Sequence, residues 1–515
     1  MRRIIIFAVA LVVAAGLTGP VSADAAVNDK VSTKKLRKAV TVNGILKHTR
    51  QLQAIANKND GNRAAGTPGY KASTKYVIKK LKNAGYAVKR QTFTFPSVRE
   101  LAPAELSQVT PTAVDYETAT FDYSGSGDVT GIVVPTNDVV VPAAAEPSST
   151  SGCEASDFAA APSDPAIALI QRGTCDFSTK VANAVAAGYD AVAIFNEGNP
   201  GRTDLIVGTL ADPVDVPVVG LSYEDGVALF DATESGPVTA RAFTSTEVNL
   251  NAKTSNIIAD SPNLKKSDEV IVVGAHLDSV FEGPGINDNG TGTATILEIA
   301  EEMSALKYTK KLKRPVRYVF FGAEEAGLLG SQHYVDSLSS AKLDKIYANL
   351  NFDMLGSPNY VRFVYDGDGS DTPDAGPAGS DGIEKVFTKY FSAHKLASSP
   401  TAFDGRSDYG PFIAAGIPAG GLFSGAEELK TPEEAATYGG TAGEPLDACY
   451  HQACDTTNNV SAKALFELGD AAAHATLTLA MSKKGIYPDV SKSAQGAKTS
   501  TAGSSSDWRG NALVR

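Results

Sequence analysis

The sequence predicts an α/β protein in which helices flank a mixed β-sheet and a second, mainly β block is inserted into the chain. From Asn251 onward, continuous apolar runs typical of strands buried on both faces alternate with helical patterns. Residues 96–250 instead contain short β-like runs and no histidine. A length of 515 residues also suits two domains of ordinary size better than one.

The composition excludes several classes of protein. Hydrophobic residues make up 43% of the chain and charged residues 20%, which is typical of a globular protein and not of a disordered chain or a coiled coil. The formal net charge is -11. Because an acidic surface repels a phosphate backbone, we expect no nucleic-acid partner.

Residues 1–25 have the pattern of a secretory signal peptide. Arg2 and Arg3 precede an apolar run over 4–17, which is too short to span a bilayer of about 30 Å as a helix. The small residues Ala23 and Ala25 then suit a cleavage site. An apolar N-terminal strand is the alternative. No later apolar stretch approaches 18 residues, so we expect a secreted, extracellular protein with no membrane contact after cleavage.

Two helices and a strand are predicted ahead of the inserted block. Apolar spacing indicates helices over 42–56 and 68–84. The second helix begins at Pro68, a residue suited to a first helical turn, and ends before Gly85. A strand over 86–95 follows.

The inserted block is predicted to be built mainly of strands. A stretch rich in Pro, Ala, Ser and Thr occupies residues 96–156, and the segments that follow are more regular. The predicted strands are 131–135, 138–142, 166–171, 191–195, 216–221 and 238–243, with one helix over 178–187.

The last part of the chain carries the alternating pattern. Its predicted strands are 270–275, 316–321 and 346–352, and its predicted helices are 291–303, 328–337 and 461–481. Residues 485–515 are rich in Ser, Ala, Gly and Lys, and we expect them to form a flexible tail.

Acidic and histidine side chains follow the three predicted strands of this last part or lie in its loops. They are His276, Asp278, Asp288, Glu324, Glu325, Asp353 and His451. In open α/β sheets ligands bind at the carboxyl ends of the strands, so we expect these groups to converge. Buried carboxylates repel one another unless a cation neutralises them.

Two imidazoles and several carboxylates are the ligands that zinc prefers. A pair of ions about 3.5–4 Å apart needs a bridging carboxylate and activates a shared water. We therefore predict two zinc ions, one held by His276 and Asp353, the other by Glu325 and His451, with Asp288 bridging them. The sequence does not decide whether calcium also binds.

The remaining groups divide by role. Only one residue of the Glu-Glu pair needs to bind metal, so Glu324 is free to act as general base on the bridging water. Asp278 would accept the second ring proton of His276 and fix its tautomer. Tyr450 would donate a hydrogen bond to an oxyanion. The other four histidines, His48, His333, His394 and His474, lie in helical patterns and are interpreted as structural or surface residues.

The four cysteines form two close pairs in the sequence, Cys153 with Cys175 and Cys449 with Cys454. Four cysteines allow three connectivities, among which the sequence does not choose, although local pairing is the simplest. Neither pair has the CxxC spacing of a zinc site.

At these residues the sequence resembles the M28 family of zinc aminopeptidases, and closely the secreted streptomycete-type enzymes. The shared phrases are Gly-Asn-Arg-Ala-Ala-Gly-Thr-Pro-Gly-Tyr (61–70), Gly-Ala-His-Leu-Asp-Ser (274–279), Gly-Ile-Asn-Asp-Asn-Gly (285–290), Gly-Ala-Glu-Glu (322–325), Asn-Phe-Asp-Met-Leu-Gly-Ser-Pro-Asn (351–359), Gly-Arg-Ser-Asp-Tyr-Gly-Pro-Phe (405–412) and Cys-Tyr-His-Gln-Ala-Cys-Asp (449–455). Together these phrases are specific, and the resemblance covers about 40–95 and 250–482. It implies the zinc exopeptidase-like phosphorylase/hydrolase fold.

The resemblance implies the same metal ligands, with Glu324 as general base and Asp278 as supporting acid. It also implies that Arg406 and Tyr450 contact the substrate carbonyl and that Glu324 and Asp353 hold the substrate's free α-amino group. A Cys449–Cys454 disulfide is implied next to His451. Tyr409 stands where short streptomycete-type relatives have a histidine. This position is not a metal ligand, so the difference bears on the shape of the substrate site and not on the metal site.

The middle block resembles a protease-associated (PA) domain through residues 170–177 and 187–192. The resemblance places this domain at 115–246, where a Cys153–Cys175 pair suits it. The peptidase domain would then consist of residues 26–114 and 247–484.

Together these features predict a secreted, monomeric two-zinc aminopeptidase that acts on peptides with a free N-terminus. The family suggests release of large apolar residues such as Leu. A PA-bearing M28 carboxypeptidase or an M20-like amidase is the hydrolytic alternative. The alternative of another class is a non-catalytic binding protein on the same fold.

Overall fold

The computed structural model describes residues 31–264 and 267–487. The predicted signal peptide and all but the first three residues of the predicted tail lie outside these ranges. The helices are α1 (Lys34–Ala39), α2 (Val42–Ala56), α3 (Pro68–Asn83), α4 (Phe177–Ala186), α5 (Tyr223–Ser235), α6 (Gly290–Ala305), α7 (Leu329–Asp336), α8 (Ser340–Leu343), α9 (Ser380–Ala393), α10 (Gly410–Ala414), α11 (Pro432–Tyr438) and α12 (Ala462–Met481).

The strands are β1 (Ala87–Thr110), β2 (Val114–Tyr116), β3 (Ala119–Thr120), β4 (Gly127–Pro135), β5 (Ala166–Gln171), β6 (Ala191–Phe195), β7 (Val218–Leu221), β8 (Thr239–Asp260), β9 (Val270–His276), β10 (Val316–Phe321), β11 (Ile346–Phe352), β12 (Phe363–Tyr365), β13 (Ser399–Thr401) and β14 (Ala419–Phe423). In the described ranges they form one mixed sheet in the order β13-β12-β14-β11-β9-β10-β8-β4-β5-β6-β7-β3, and β1 pairs with both β2 and β8. The predicted α/β class with helices beside a mixed sheet is confirmed.

The half of the sheet that carries the polar residues has a parallel centre. Strands β10, β9, β11 and β14 run parallel and are buried, as their apolar sequences predict. Helices α2, α3, α6, α9 and α12 contribute to the apolar cluster on one face, and side chains of α7 and α10 pack on the other. Both faces of these strands are therefore covered, which explains why their sequences are continuous apolar runs.

The inserted block has its own parallel strands, β4 to β7, which are linked side by side. Helix α4 packs into one apolar cluster with these strands and α5 into a second. The block therefore buries its apolar residues in two clusters, one with each helix.

Strands β1 and β8 connect the two halves and are much longer than predicted. They pair antiparallel from Ala87 opposite Asp260 to Thr110 opposite Thr239. The sequence indicated a strand ending at Phe95, because Pro96 follows and prolines are rare inside sheets. The register shifts between Phe95 and Ser97, so an irregularity accommodates the proline and the pairing continues.

One predicted strand is wrong. Residues 138–142 form turns and irregular structure, and not a strand. The Gln171 side chain accepts a hydrogen bond from Val140 N (2.8 Å) and donates one to Val140 O (2.9 Å). Because a side chain occupies both backbone groups of Val140, this segment does not add to the sheet at that point. Helices α1, α5, α8, α10 and α11 and strands β2, β3 and β12 to β14 had not been predicted, and α9 had been indicated only as a helical pattern around His394.

None of the helices within 31–264 and 267–487 has the length and hydropathy needed to cross a bilayer.

Candidate metal centre and active site

The predicted site residues lie at the carboxyl ends of the central parallel strands. His276 is the last residue of β9, and Asp353 directly follows β11. Glu324 and Glu325 come just after β10, whose Phe321 lies beside His276 in the parallel register. The sheet thus brings together residues from separate parts of the chain at one edge.

Asp288 lies between the two histidines. Its Oδ1 is 3.1 Å from His276 Nε2, and its Oδ2 is 3.2 Å from His451 Nε2. Asp288 therefore presents one carboxylate oxygen to each imidazole, which is the arrangement that a bridging ligand needs.

Each histidine has a second carboxylate beside it. Asp353 Oδ1 is 3.3 Å from His276 Nε2, and Glu325 Oε2 is 3.0 Å from His451 Nε2. Within each of the two groups that share Asp288, the ligand atoms lie within 4.8 Å of one another. The structure thus brings together all five predicted ligands in the two groups that the sequence suggested.

The electrostatics of the cluster indicate an excess of buried negative charge. Burial, together with Asp353 and Asp408, raises the pKa of Glu324 well above its usual value, although His276 opposes the shift. Burial and the charge of Asp288 likewise raise the pKa of Glu325. Burial opposes protonation of His276, yet the carboxylates of Glu324 and Asp353 raise its pKa well above the usual value. Bound cations would relieve this repulsion.

The donor set fits zinc. Imidazole nitrogen and carboxylate oxygen are both ordinary zinc ligands, and Asp288 supplies the oxygens that two ions would share. The buried Asp353 Oδ1 has no hydrogen-bond partner among the described residues. A buried polar atom usually has such a partner, and a bound cation would provide one for this oxygen.

Glu324 and Asp278 lie next to the metal-ligand cluster. Glu324 Oε2 is 3.8 Å from His276 Nε2, farther away than the oxygens of Asp288 and Asp353. Asp278 Oδ1 accepts a long hydrogen bond from Glu324 N (3.4 Å) and is 3.7 Å from His276 Nδ1. The last distance exceeds an ordinary hydrogen bond, so Asp278 faces the ring of His276 without bonding to it in this structure.

Tyr450 and Arg406 line the same cavity of about 370 Å³ as the predicted ligands. Arg406 Nη2 donates to Tyr450 Oη (3.4 Å), while its Nη1 lies 2.8 Å from Glu427 Oε1. The Tyr450 ring stacks on the His451 ring, with centroids 3.8 Å apart. Burial, with the charges of Asp288 and Glu325, raises the pKa of Tyr450 well above its usual value, so its hydroxyl remains a proton donor.

Three residues at the site have left-handed backbone conformations. Ala323 (φ 58°) precedes Glu324, Met354 (φ 48°) follows Asp353, and His451 itself has φ 56°. Non-glycine residues adopt this region rarely, and such strain of about 1–3 kcal/mol concentrates at functional sites. The strain lies where the chain must turn sharply to present Glu324, Asp353 and His451.

Arg63 supports the site but was not identified from the sequence. It is fully buried, and its guanidinium donates to the carbonyl oxygens of Pro284 (2.8 Å), Gly285 (2.5 Å) and Leu277. These carbonyls lie on the segment that joins His276 to Asp288. The sequence pointed to Arg63 through its place in the shared phrase 61–70. That phrase does not show which groups the Arg63 side chain contacts.

Other supporting residues were also missed. Asp455 accepts hydrogen bonds from the backbone of Asn287 (2.8 Å) and Asp288 (3.0 Å). Ser407 Oγ donates to Asp353 Oδ2 (2.5 Å). Asp408 is buried, and burial raises its pKa to about 8. These residues belong to the shared phrases 449–455 and 405–412, but sequence alone did not assign them roles.

Tyr409 is buried away from the cavity lining. Its hydroxyl donates to Asp404 Oδ1 (2.6 Å) and accepts from Gly405 N (3.0 Å). Its ring packs against Tyr365 and Phe403. A tyrosine in place of histidine at position 409 therefore affects the shape of the cavity through Tyr365 and Asp404, which line it.

The cysteines and the remaining histidines have structural partners. Both close pairs form disulfides, Cys153–Cys175 and Cys449–Cys454, and the second encloses His451. The other four histidines contact groups outside the cluster: His48 the Tyr76 hydroxyl, His333 the Phe93 ring, His394 the Arg37 guanidinium and His474 the Thr33 hydroxyl.

Comparison with known proteins supports the same interpretation. The profile of peptidase family M28 matches residues 256–476, and that of the PA domain matches residues 129–229. An aminopeptidase of Pseudomonas aeruginosa (strain UCBPP-PA14) is 44% identical over 472 residues, which cover 90% of this chain and 85% of the relative.

A probable leucine aminopeptidase 2 of Aspergillus fumigatus is 36% identical and covers 89% of this chain and 87% of its own. The solved structure of a zinc aminopeptidase from Bacillus subtilis aligns with a TM-score of 0.60 and 26% identity, over 86% of this chain and 96% of that one. With its site at the sheet edge and these relatives along most of its length, the chain belongs to peptidase family M28 and carries an inserted PA domain.

Proposed function

We propose that this chain is a secreted two-zinc aminopeptidase that removes the first residue from peptides with a free N-terminus. The observation that carries the proposal is the position of Asp288, whose two oxygens lie 3.1 Å and 3.2 Å from the imidazoles of His276 and His451. Each imidazole has a further carboxylate beside it, and Glu324 lies slightly farther away.

His276, Asp353 and Asp288 would hold one zinc ion, and Glu325, His451 and Asp288 the other. When bound, the two ions would acidify a water molecule and polarise the substrate carbonyl. Asp278 faces the other ring nitrogen of His276 and would orient that ring.

Glu324 is the proposed general base and acid. It would take the proton of the attacking water and pass it to the leaving nitrogen of the peptide bond. Its burial and raised pKa suit a group that must hold this proton between the two steps. Tyr450 would donate its hydroxyl proton in a hydrogen bond to the carbonyl oxygen as negative charge develops there, and Arg406 positions that hydroxyl.

The charged residues that line the cavity favour binding of a peptide through its free α-amino group over binding through its C-terminal carboxylate. Asp404, Glu427 and Glu428 line the cavity in addition to the predicted metal ligands. Arg406, the cation that a carboxypeptidase would need, already pairs with Glu427. Acidic residues attract the free α-amino group, and Glu324 and Asp353 are the proposed contacts.

We further propose that the preferred first residue is large and apolar, such as Leu. Leu328, Met354, Tyr365 and Phe423 line the cavity beside the ligands, and its volume of about 370 Å³ leaves room for one such side chain. Secretion is supported by the N-terminal pattern and by the two disulfides, which persist in oxidising compartments. The proposed PA domain spans 115–246 and separates 26–114 from 247–484.

Replacing Glu324 with glutamine tests the mechanism. We expect this variant to retain two zinc ions per chain by metal analysis while its kcat for leucyl-p-nitroanilide falls at least about 1000-fold. Glu433, which is exposed on α11 and does not line the cavity, provides the matched control, since Glu433→Gln should stay within threefold of wild type. Wild-type activity in a zinc-loaded Glu324→Gln protein would contradict the mechanism. Equal hydrolysis of a peptide and its N-acetylated form would contradict the aminopeptidase assignment.

A further inference from the structure

The basic residues of the chain are concentrated in one segment near its beginning. Residues 34–90 contain 15 lysines and arginines and a single acidic residue, Asp60. This segment therefore has a formal charge of +14, whereas the whole chain has a formal charge of -11. The overall acidic charge thus conceals a strongly basic region, which consists of α1, α2, α3 and the start of β1.

Four lysines of α3 lie along one face of that helix, and we call them the lysine stripe. They are all exposed, and they are Lys71, Lys75, Lys79 and Lys82. At 3.6 residues per turn they fall within an arc of about 80°, and at 1.5 Å per residue they extend over about 17 Å. The buried residues of α3 lie on the opposite face and pack beside the main sheet. The stripe therefore points away from the core.

The charges of the lysine stripe are not neutralised by neighbouring residues. Lys80, on another face of the same helix, forms a salt bridge with Glu301 (2.7 Å), but the stripe lysines form none with the described residues. Arg90 is exposed beside the helix, where its Nη2 donates to Thr74 Oγ1 (3.0 Å). A row of like charges without partners creates a local positive potential that attracts an anion with repeated charges.

Helix α2 extends this basic surface. His48 Nδ1 lies 2.6 Å from the Tyr76 hydroxyl, and this contact joins α2 to α3. Lys47, Arg50 and Lys58 of α2 are exposed and form no salt bridge within residues 31–264 and 267–487. The basic surface therefore includes two neighbouring helices, which hold its charges on a rigid support.

Other features of the surface narrow the kind of partner. Residues 34–90 are all described, and none of their large hydrophobic side chains is exposed, although helices that bind in a membrane interface bury such side chains there. Because its other face is packed into the core, α3 cannot enter the major groove of a DNA duplex, where bases are read. Lysine acts as a point charge on a flexible stem and imposes little geometry on its partner. A flexible, linear polymer with regularly repeated carboxylates fits these features best.

We propose that the lysine stripe and the exposed cations of α2 bind an acidic polysaccharide, a sugar polymer with a carboxylate on each repeating unit. Successive stripe lysines are about 5–6 Å apart along the helix, so one extended polymer can meet several of them at once. None of residues 34–90 lines the cavity that contains the predicted metal ligands. A polymer bound to this surface would therefore hold the enzyme in place without occupying that cavity. The proposal does not depend on the catalytic function.

Polygalacturonate in calcium-free buffer is the probe, and titration calorimetry measures its affinity. We expect binding that weakens at least about tenfold between about 50 and 300 mM NaCl, since salt screens exposed charges. Replacing all four stripe lysines with glutamine should weaken binding about 30-fold, because each exposed ion pair changes affinity about two- to threefold. The matched control removes the same charge from four exposed lysines elsewhere and should stay within about threefold of wild type. Its substitutions are Lys342→Gln, Lys389→Gln, Lys395→Gln and Lys463→Gln.

A third variant replaces the four stripe lysines with arginine and should bind within about threefold of wild type, because it keeps every charge. All three variants should keep their melting temperature and their kcat/KM for leucyl-p-nitroanilide, which shows that they are folded. Undiminished binding in the glutamine variant of the stripe, or an equal loss in the control, would overturn the proposal. Tighter binding of the wild type to duplex DNA or to phosphatidylglycerol vesicles at the same ionic strength would also overturn it and assign the surface to that partner.

Discussion

Replacing Arg63 with methionine should loosen the segment that carries Asp288 by about 3 kcal/mol. Methionine retains much of the buried stem but leaves the carbonyl oxygens of Leu277 and Pro284 without their donor, while Gly285 O keeps its hydrogen bond from Gly290 N. Each buried carbonyl left unsatisfied costs about 1–3 kcal/mol, which gives about 2–6 kcal/mol for two. The variant also no longer buries a charge, so a value in the lower half of that range, about 3 kcal/mol, is expected.

Hydrogen exchange measures this effect where it arises. The backbone amides of Ile286, Asn287 and Asp288 all donate to Asp455, and they should exchange about 150-fold faster in Arg63→Met, the equivalent of about 3 kcal/mol. Gly285 limits the ways in which the segment can rearrange, since it has a φ of 57° and a Cβ there would lie 2.3 Å from Asp288 O.

Two further variants make the result interpretable. Arg63→Lys keeps the charge but has a single nitrogen that cannot reach three carbonyls in different directions, so it should fall between wild type and Arg63→Met. Arg90→Met removes one hydrogen bond from an exposed arginine and should leave the exchange unchanged. If Arg63→Met exchanged within threefold of wild type at residues 286–288, the supporting role of Arg63 would be wrong.

Three other predictions follow from individual contacts. Asp278→Asn should lower zinc affinity or kcat/KM about 10–100-fold, measured by competition with a chelator and with leucyl-p-nitroanilide, because the ring of His276 loses its facing charge. Tyr450→Phe should lower kcat about 100-fold with little change in KM, since its hydroxyl acts on charge that develops during the reaction. Burial, with the charge of Arg37, lowers the pKa of His474 to about 4, against about 6.5 when unfolded. The free energy of unfolding from urea titrations should therefore fall as the pH drops below about 6.5, and the wild type should lose about 2 kcal/mol relative to His474→Gln between pH 7.5 and pH 5.0.

Each of these predictions has an outcome that contradicts it. Unchanged zinc affinity and rate in Asp278→Asn would show that the 3.7 Å contact has no influence on the ring. A change confined to KM in Tyr450→Phe would assign the hydroxyl to substrate binding. If the difference in the free energy of unfolding between wild type and His474→Gln did not vary with pH, the surroundings would not be keeping the histidine neutral.

Local features of the sequence were sufficient to predict the centre of the fold. Strands β9, β10 and β11 are continuous apolar runs because both of their faces are covered. Each run can be recognised from the residues of its own segment. The polar residues His276, Glu324 and Asp353 stand out because they end such runs. Their convergence was predictable because parallel strands end at the same edge of a sheet.

The pairing of β1 with β8 was not predictable in the same way. Both strands have half-exposed, irregular patterns, and Pro96 interrupts the first. Their partner lies about 150 residues away in the chain, so the register depends on the whole sheet and not on either segment.

Hydrophobic periodicity and metal-ligand chemistry are local properties, so the buried strands and the polar residues that end them could be identified from the sequence. The tertiary structure was needed to show that Arg63 lies under the segment before Asp288 and that Asp455 accepts the backbone hydrogen bonds of that segment. These contacts join residues far apart in the chain. They depend on the order of strands in the sheet, which no single segment encodes.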